Sequence, residues 1–275
     1  MAQIPDIPLN DGSTIPQLGF GVFQIPPADT ARAVTTALEL GYRHIDTAAI
    51  YGNEREVGEA IAASGIPREQ IYVTTKLWNG DQGYDSALAA FDASVERLGF
   101  APDLYLIHWP TPARDRYVES WRALERLQSE GRVRSIGVSN FQPAHLRRLL
   151  QETQVVPAIN QIELHPYLQQ RELRAFHAEH NIVTEAWSPL AQGELLDDPV
   201  LKSIAEAHGK TTAQVVLRWH LQIGNVVFPK SVTPSRIEEN LSIFDFELTD
   251  AELEAIEQLD RDHRTGFHPD TMEIA

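Results

Sequence analysis

Cysteine is absent from this sequence. Its absence excludes disulfides, thiolate-bound metals and a cysteine nucleophile, and it fits a reducing compartment. No apolar run reaches membrane-spanning length, so no transmembrane helix is expected. The first residues, MAQIPDIPLNDGS, have neither a basic start nor an apolar stretch, so no secretory leader is expected. Positive charge is scarce, with 23 Lys and Arg against 39 Asp and Glu and a net charge of −16. So acidic a chain is a poor general binder of nucleic acid or anionic membrane, and an anionic ligand has to be caught by a local basic cluster. Together these absences point to a soluble, cytoplasmic protein whose partners are small molecules.

Three motifs are also missing. The glycine fingerprint G-x-G-x-x-G fails because Gly19-Phe20-Gly21 runs into Val22, Phe23 and Gln24. Neither G-x-x-x-x-G-K-[ST] nor H-E-x-x-H occurs. His177 and His180 lie three apart without an acidic third ligand, and a solvated helix face accounts for them better than a metal, so no metal is expected.

What is present is an alternation of strand-like and helical stretches. The 275 residues are 43% hydrophobic and 23% charged, ordinary for a globular chain with a sizeable core. Strand candidates are LGFGVF (18–23), HIDTA (44–48), IYVTTKL (71–77), LYLIHW (104–109), VRSIGVSN (133–140), AINQIEL (158–164), IVTEAW (182–187) and VVFPKS (226–231). Amphipathic stretches such as AFDASVERL and YVESWRALERLQSEG lie between them. This rhythm predicts βαβ units closing into a (β/α)8 TIM barrel, a single domain over 1–275. IPLNDGSTIP, around Asp11-Gly12, predicts a tight β-hairpin as an N-terminal cap. PVLKSIAEAHG and TDAELEAIEQLD (249–260) predict two extra helices, the second capped by Thr249 or Asp250.

Function in such barrels gathers where strands end. Asp46 ends the second strand with Tyr51 in the loop beyond, Lys76 ends the third and His108 the fourth. Each alone has an ordinary reading: Asp46–Lys76 a rim ion pair, Tyr51 a helix staple, His108 a core histidine. Their convergence on successive strand ends favours chemistry instead. An ammonium beside a phenol is expected to lower the phenol pKa, a carboxylate would hold that ammonium charged, and an imidazole can orient a carbonyl oxygen. Such a set polarises C=O and delivers a proton, leaving the carbon to receive a hydride from elsewhere.

These residues resemble the aldo-keto reductases, through HIDTAAIYGNEREVG, TTKLWN, LYLIHWP, GVSNF, NQIELHP and FPKSVTPSRIEENLSIFDFEL, spread over nearly the whole chain. Within that family the chain is similar to bacterial 2,5-diketo-D-gluconate reductase-like members. The resemblance implies an NADPH-dependent barrel reductase that turns aldehydes and ketones, such as small dicarbonyls or sugar-derived keto acids, into alcohols by hydride transfer; a monomer is expected, though the sequence leaves oligomeric state open. It implies Tyr51 as general acid with Lys76, Asp46 and His108 as its partners. It implies that Ser139, Asn140 and Gln161 hold the nicotinamide carboxamide and that Trp187 stacks on the ring, where most relatives carry Tyr. Ser188, Leu190, Gln192 and Gly193 match a strap over the pyrophosphate. Lys230, Ser231, Val232 and Arg236 match a pocket for the adenosine 2′-phosphate, with Glu239 and Asn240 at the adenine. Phe23, Ile50, Trp78 and Trp109 match the substrate walls, with the tail near Phe267. Two rival readings are a redox sensor that holds NADPH without turnover, and a metal-dependent hydrolase using Asp46, His108 and His165.

Overall fold

A computed structural model describes residues 4–274. Strands β1 (Asp6–Pro8) and β2 (Thr14–Pro16) form the antiparallel hairpin, with Ile7 opposite Ile15. The barrel strands follow: β3 (Phe20–Gly21), β4 (His44–Asp46), β5 (Tyr72–Leu77), β6 (Leu104–Ile107), β7 (Ser135–Ser139), β8 (Ile159–Glu163), β9 (Val183–Trp187) and β10 (Val226–Val227). They pair in parallel, each with the next in chain order. A parallel bridge between Leu18 and Val227, with Gly19 N donating to Val227 O at 2.8 Å and Val227 N to Gln17 O at 2.9 Å, closes the ring.

Helices cover the outside in the order α1 (Pro27–Leu40), α2 (Glu54–Ala63), α3 (Tyr84–Leu98), α4 (Tyr117–Ser129), α5 (Pro143–Glu152) and α6 (Arg171–Glu179). Then come α7 (Pro199–His208), α8 (Thr212–Gln222), α9 (Pro234–Leu241) and α10 (Asp250–Glu257), of which α7 and α10 are the extra two. Their sequence signals are realised locally. Asp198 caps α7 by accepting from Val200 N and Leu201 N, and Thr249 forms a capping box with Glu252 on α10. No helix among the described residues is long and apolar enough to cross a membrane.

The period-two alternation of the strands divides the interior. Outward residues such as Ile45, Val73, Ile107, Val138 and Ile162 join one large cluster between sheet and helices. The inward residues Tyr72, Leu104, Leu106, Ile159 and Val226 pack with Leu9 and Ile15 of the hairpin, which plugs the lower lumen. Above that plug the inward positions turn polar: His44, Asp46, Thr74, Lys76, Gln161 and Glu185, all buried.

Several expectations need correction. The first and last barrel strands shrink to Phe20–Gly21 and Val226–Val227, although Gly21 N still donates to Pro229 O and Val22 N to Asp46 O beside them. The hairpin turn is wider than a two-residue one: Leu9 N bonds Ser13 O at 2.9 Å, and Asp11 Oδ1 accepts from Ser13 N and Oγ inside that loop. His177 is not on a solvated face. It is buried between α6 and the sheet, bonded to Asn160 Nδ2 at 2.9 Å and Thr184 Oγ1 at 2.8 Å, while His180 stacks on Phe176.

Candidate active site

The upper rim is built from loops pinned by a buried amide. Asn53 precedes α2, yet its side chain does not cap that helix. It accepts from Thr47 Oγ1 at 2.8 Å and donates to Val22 O at 3.0 Å and Ile25 O at 3.3 Å, stitching the loop after β3 to the loop after β4. Between its anchors a short turn, Ala49–Tyr51, ends at Gly52 with φ +68°, a conformation glycine adopts without strain. That turn carries Tyr51 over the lumen.

Lys76 lies fully buried beneath it and donates to Asp46 Oδ1 at 2.7 Å, Asp46 Oδ2 at 2.8 Å and Thr47 O at 2.8 Å. With its protons so placed, the ammonium sits 5.2 Å from the centroid of the Tyr51 ring and acts on the phenol chiefly as a charge. His108 stands edge-on to Tyr51, with ring centroids 5.8 Å apart, and edge-on to Trp78 at 5.3 Å. The four side chains therefore meet at one end of the barrel.

Their protonation follows from burial and neighbours. Burial works against the Lys76 charge, but the Asp46 carboxylate outweighs it and raises its pKa, so Lys76 is an ammonium. Burial, then the Lys76 charge, lower His108 well below the ordinary imidazole value, so it is neutral at working pH. Tyr51 departs from expectation. Burial pushes its phenol up to about 12; Lys76 pulls the other way without reversing it, and Asp46 adds to the rise. Lys76 does favour the phenolate, but desolvation is the larger effect, and the phenol keeps its proton throughout the physiological range.

Ser139, Asn140 and Gln161 also come together, largely satisfied by one another. Ser139 Oγ donates to Gln161 O at 2.8 Å. Asn140, with φ +64°, donates to His108 O at 3.0 Å and Ser139 Oγ at 3.1 Å, and accepts from Trp187 Nε1 at 2.8 Å. Gln161 Nε2 donates to Asp46 Oδ2 at 2.8 Å and to Glu185 Oε2 at 2.9 Å. The trio's capacity left over is that of acceptors, which suits an amide NH2. Trp187, half-buried, lies edge-on to Trp109 with centroids 6.4 Å apart.

Beyond β9 the backbone is strained: Ser188, Ala191 and Gln192 take φ of +48°, +46° and +56°, next to Gly193 at +100°. Leu190 is half-buried there. After β10, Lys230, Val232 and Arg236 are exposed around the buried Ser231. Lys210 and Arg218 pair with Asp245 and Glu247, whereas Lys230 and Arg236 form no ion pair among the described residues. Two unpaired cations near the start of α9 fit a phosphate group. Glu239 accepts from Thr211 Oγ1 at 2.7 Å, and Asn240 is buried. On the substrate side Phe23 is 54% exposed and tilted against Tyr51 at 4.9 Å, and Ile50 is 48% exposed; with the half-buried Trp78 they leave apolar surface uncovered at the mouth, whereas Trp109 is buried. Phe267 is exposed as well.

The strand-end reading missed four structural supports. Asn53 and Glu185 are two. Glu163 is the third: its carboxylate accepts from His165 Nε2, Thr265 N, Thr265 Oγ1 and Gly266 N, at 2.6 to 3.1 Å. Gly266 is the fourth, since a Cβ there would lie 2.5 Å from Trp187 Cη2, so the tail packs directly on that indole. No three or more His, Asp or Glu side chains that could hold a metal ion cluster among the described residues, and His165 instead bonds Glu163.

A closed parallel barrel with a buried ammonium–carboxylate pair under a phenol and a neutral imidazole defines a carbonyl-directed oxidoreductase site. The model of the Aldo/keto reductase family matches residues 17–261, and the chain belongs to that family; it is an oxidoreductase of the carbonyl–alcohol couple. It is 60% identical over 269 residues to an aldo-keto reductase of Mycolicibacterium smegmatis, covering 98% of both chains. It is 51% identical over 275 residues to methylglyoxal reductase DkgA of Yersinia pestis, covering 99% of both. Among solved structures, a point mutant of Gox0644 in complex with NADPH matches with TM-score 0.96 and 51% identity, over 99% of this chain and 100% of that one.

Proposed function

We propose that this chain reduces small aldehydes and ketones to alcohols with NADPH, using Tyr51 as the proton donor. The observation that carries the reading is a protonated phenol, held at about 12 by burial, standing between the Lys76 ammonium and the neutral His108 at the barrel mouth. The acceptor-rich trio of Ser139, Asn140 and Gln161, the half-buried Trp187 and the unpaired Lys230 and Arg236 fit an amide, an aromatic ring and a phosphate in turn. When bound, NADPH supplies the hydride that the carbonyl carbon receives.

The remaining steps belong to the chain. His108, neutral and with one N–H to give, donates to the carbonyl oxygen and orients it against Tyr51. The phenol gives its proton to the oxygen as negative charge builds there. Lys76 then stabilises the phenolate, and Asp46 keeps Lys76 charged while that happens. Phe23, Ile50, Trp78 and Trp109 exclude water around the reacting group. A cup of this kind takes compact carbonyls. That one relative is named a methylglyoxal reductase supports small dicarbonyls as the first substrates to test.

The test is Tyr51→Phe, with NADPH oxidation followed by absorbance against methylglyoxal and simple aldehydes. Turnover should fall by about 10³-fold, while the NADPH dissociation constant from tryptophan fluorescence stays within about twofold. Undiminished turnover would overturn the assignment. A wild-type chain that binds NADPH and oxidises it with no carbonyl in the panel would favour the sensor reading instead.

A further inference from the structure

Glu185 sits under the site and none of the steps above uses it. It projects from β9 into the lumen on the rung where Gln161 pairs with it across the sheet, and it is fully buried. Its Oε2 accepts one proton of the Gln161 amide nitrogen at 2.9 Å, and Asp46 Oδ2 accepts the other at 2.8 Å. An amide oxygen turned inward would lose the Asp46 bond and face that carboxylate's charge, so with Glu185 Oε2 accepting the second N–H the oxygen of Gln161 points away. Glu185 Oε1 has no hydrogen-bond partner; it lies 3.6 Å from His44 Nε2, and His44 Nδ1 is unpartnered too.

We propose that Glu185 is a positioning residue: it clamps Gln161 with its oxygen toward the cofactor, and its own proton sets the negative charge standing behind Lys76 and Tyr51. The inference rests on the reading of Tyr51 as the acid. The groups that face Glu185 are His44 and Asp46 from β4, Tyr72 and Lys76 from β5, and Tyr51 from the rim loop. β8 contributes Gln161, and its neighbour on β10 is Val226, which carries no charge. Burial, then the charge of Asp46, push the Glu185 carboxyl from the ordinary 4.5 up to about 8. His44 offers no compensating cation, since burial holds it at about 3. Below pH 8 the cluster therefore holds Lys76 against Asp46 alone. Once Glu185 ionises, a second anion raises the Tyr51 pKa further and makes it a weaker acid.

Three measurements test this. Glu185→Gln keeps an oxygen for Gln161 but cannot ionise. Wild-type kcat/KM should decline as pH rises through about 8, while Glu185→Gln holds flat, a difference of about threefold by pH 9.5. Superimposable pH profiles overturn the charge-setting role. The second readout needs no cofactor. Between pH 4.5 and about 8 the folded wild type keeps a proton that the unfolded chain gives up, so its stability falls as pH rises across that window. The melting temperature of Glu185→Gln should accordingly gain on wild type from pH 5 to pH 8; a constant gap overturns the claim. Third, Glu185→Leu removes the acceptor and should weaken NADPH binding about tenfold in a fluorescence titration; unchanged binding overturns the clamp. Should the leucine variant fail to fold, the two glutamine arms decide the charge-setting role and Glu185→Met, which also lacks the carboxyl acceptor, decides the clamp in the same titration. If Tyr51→Phe stays active the acid reading itself fails, whereas an inactive Tyr51→Phe beside unresponsive Glu185 variants rejects only the role given to Glu185.

Discussion

The two ends of the barrel lumen are lined by the same strands yet differ completely. β5 puts Tyr72 in the lower layer and Thr74 and Lys76 above it; β8 runs from Ile159 to Gln161, and β9 from Val183 to Glu185. Below, an apolar plug sealed by Leu9 and Ile15 removes surface from water, which stabilises by about 1.5–3 kcal/mol for each large side chain fully buried. Above, an ammonium, a carboxylate and a second carboxyl group stay away from solvent, an arrangement that costs folding energy even when well paired. The difference teaches where stability and chemistry reside: the lower lumen and the outer core offset the cost of holding the upper lumen dry and charged.

The largest test of that division is Lys76→Met. It leaves Asp46 buried without its cation, so stability should drop by about 3–5 kcal/mol in urea unfolding. Turnover by the folded fraction should fall below detection. Retained stability with lost turnover would mean that the pair is not an energetic burden of the kind described. Next is Leu106→Ala in the plug, expected to cost about 2–4 kcal/mol while kcat of the folded enzyme stays within about twofold. A collapse of kcat there would break the contrast between the two ends. A smaller effect is expected at their boundary, from Gly19→Ala. Its added Cβ would lie 2.6 Å from His44 Nδ1 and 2.8 Å from its Cγ, displacing a ring of the polar layer. A loss of about 1–3 kcal/mol is expected, checked by thermal unfolding.

The same contrast explains what could be read from the sequence. The order of strands and helices was legible because period-two and period-3.6 patterns alternate cleanly along the chain. Asp46, Lys76 and His108 stood out because polar residues ending apolar strands are conspicuous. Glu185 is less conspicuous inside IVTEAW, where only period-two alternation with Val183 and Trp187 marks it as inward-facing. Gly19 and Gly21 registered as a broken nucleotide fingerprint, when their role is steric. A Cβ at Gly21 would lie 2.9 Å from Phe228 O, and the one at Gly19 would strike His44. Such approaches between distant segments leave no local signal, and neither do the crossed bonds of Asn53. The expected fall in the Tyr51 pKa failed for a related reason: the sequence shows that a cation is near but not how completely the phenol is desolvated.

The smallest effect is expected outside the lumen. Lys230 is exposed after β10, so Lys230→Ala should leave stability within about 0.5 kcal/mol of wild type. Under the proposed assignment of Lys230 to the adenosine phosphate that distinguishes NADPH from NADH, the variant loses one charge-assisted bond, and losing such a bond weakens binding by about tenfold or more. Fluorescence titrations with both nucleotides should therefore show a weaker NADPH complex and an unchanged NADH complex, with kcat at saturating NADPH preserved. Equal losses for both would instead assign Lys230 to a part of the nucleotide that the two share, and the cationic patch would then contribute affinity without choosing between them.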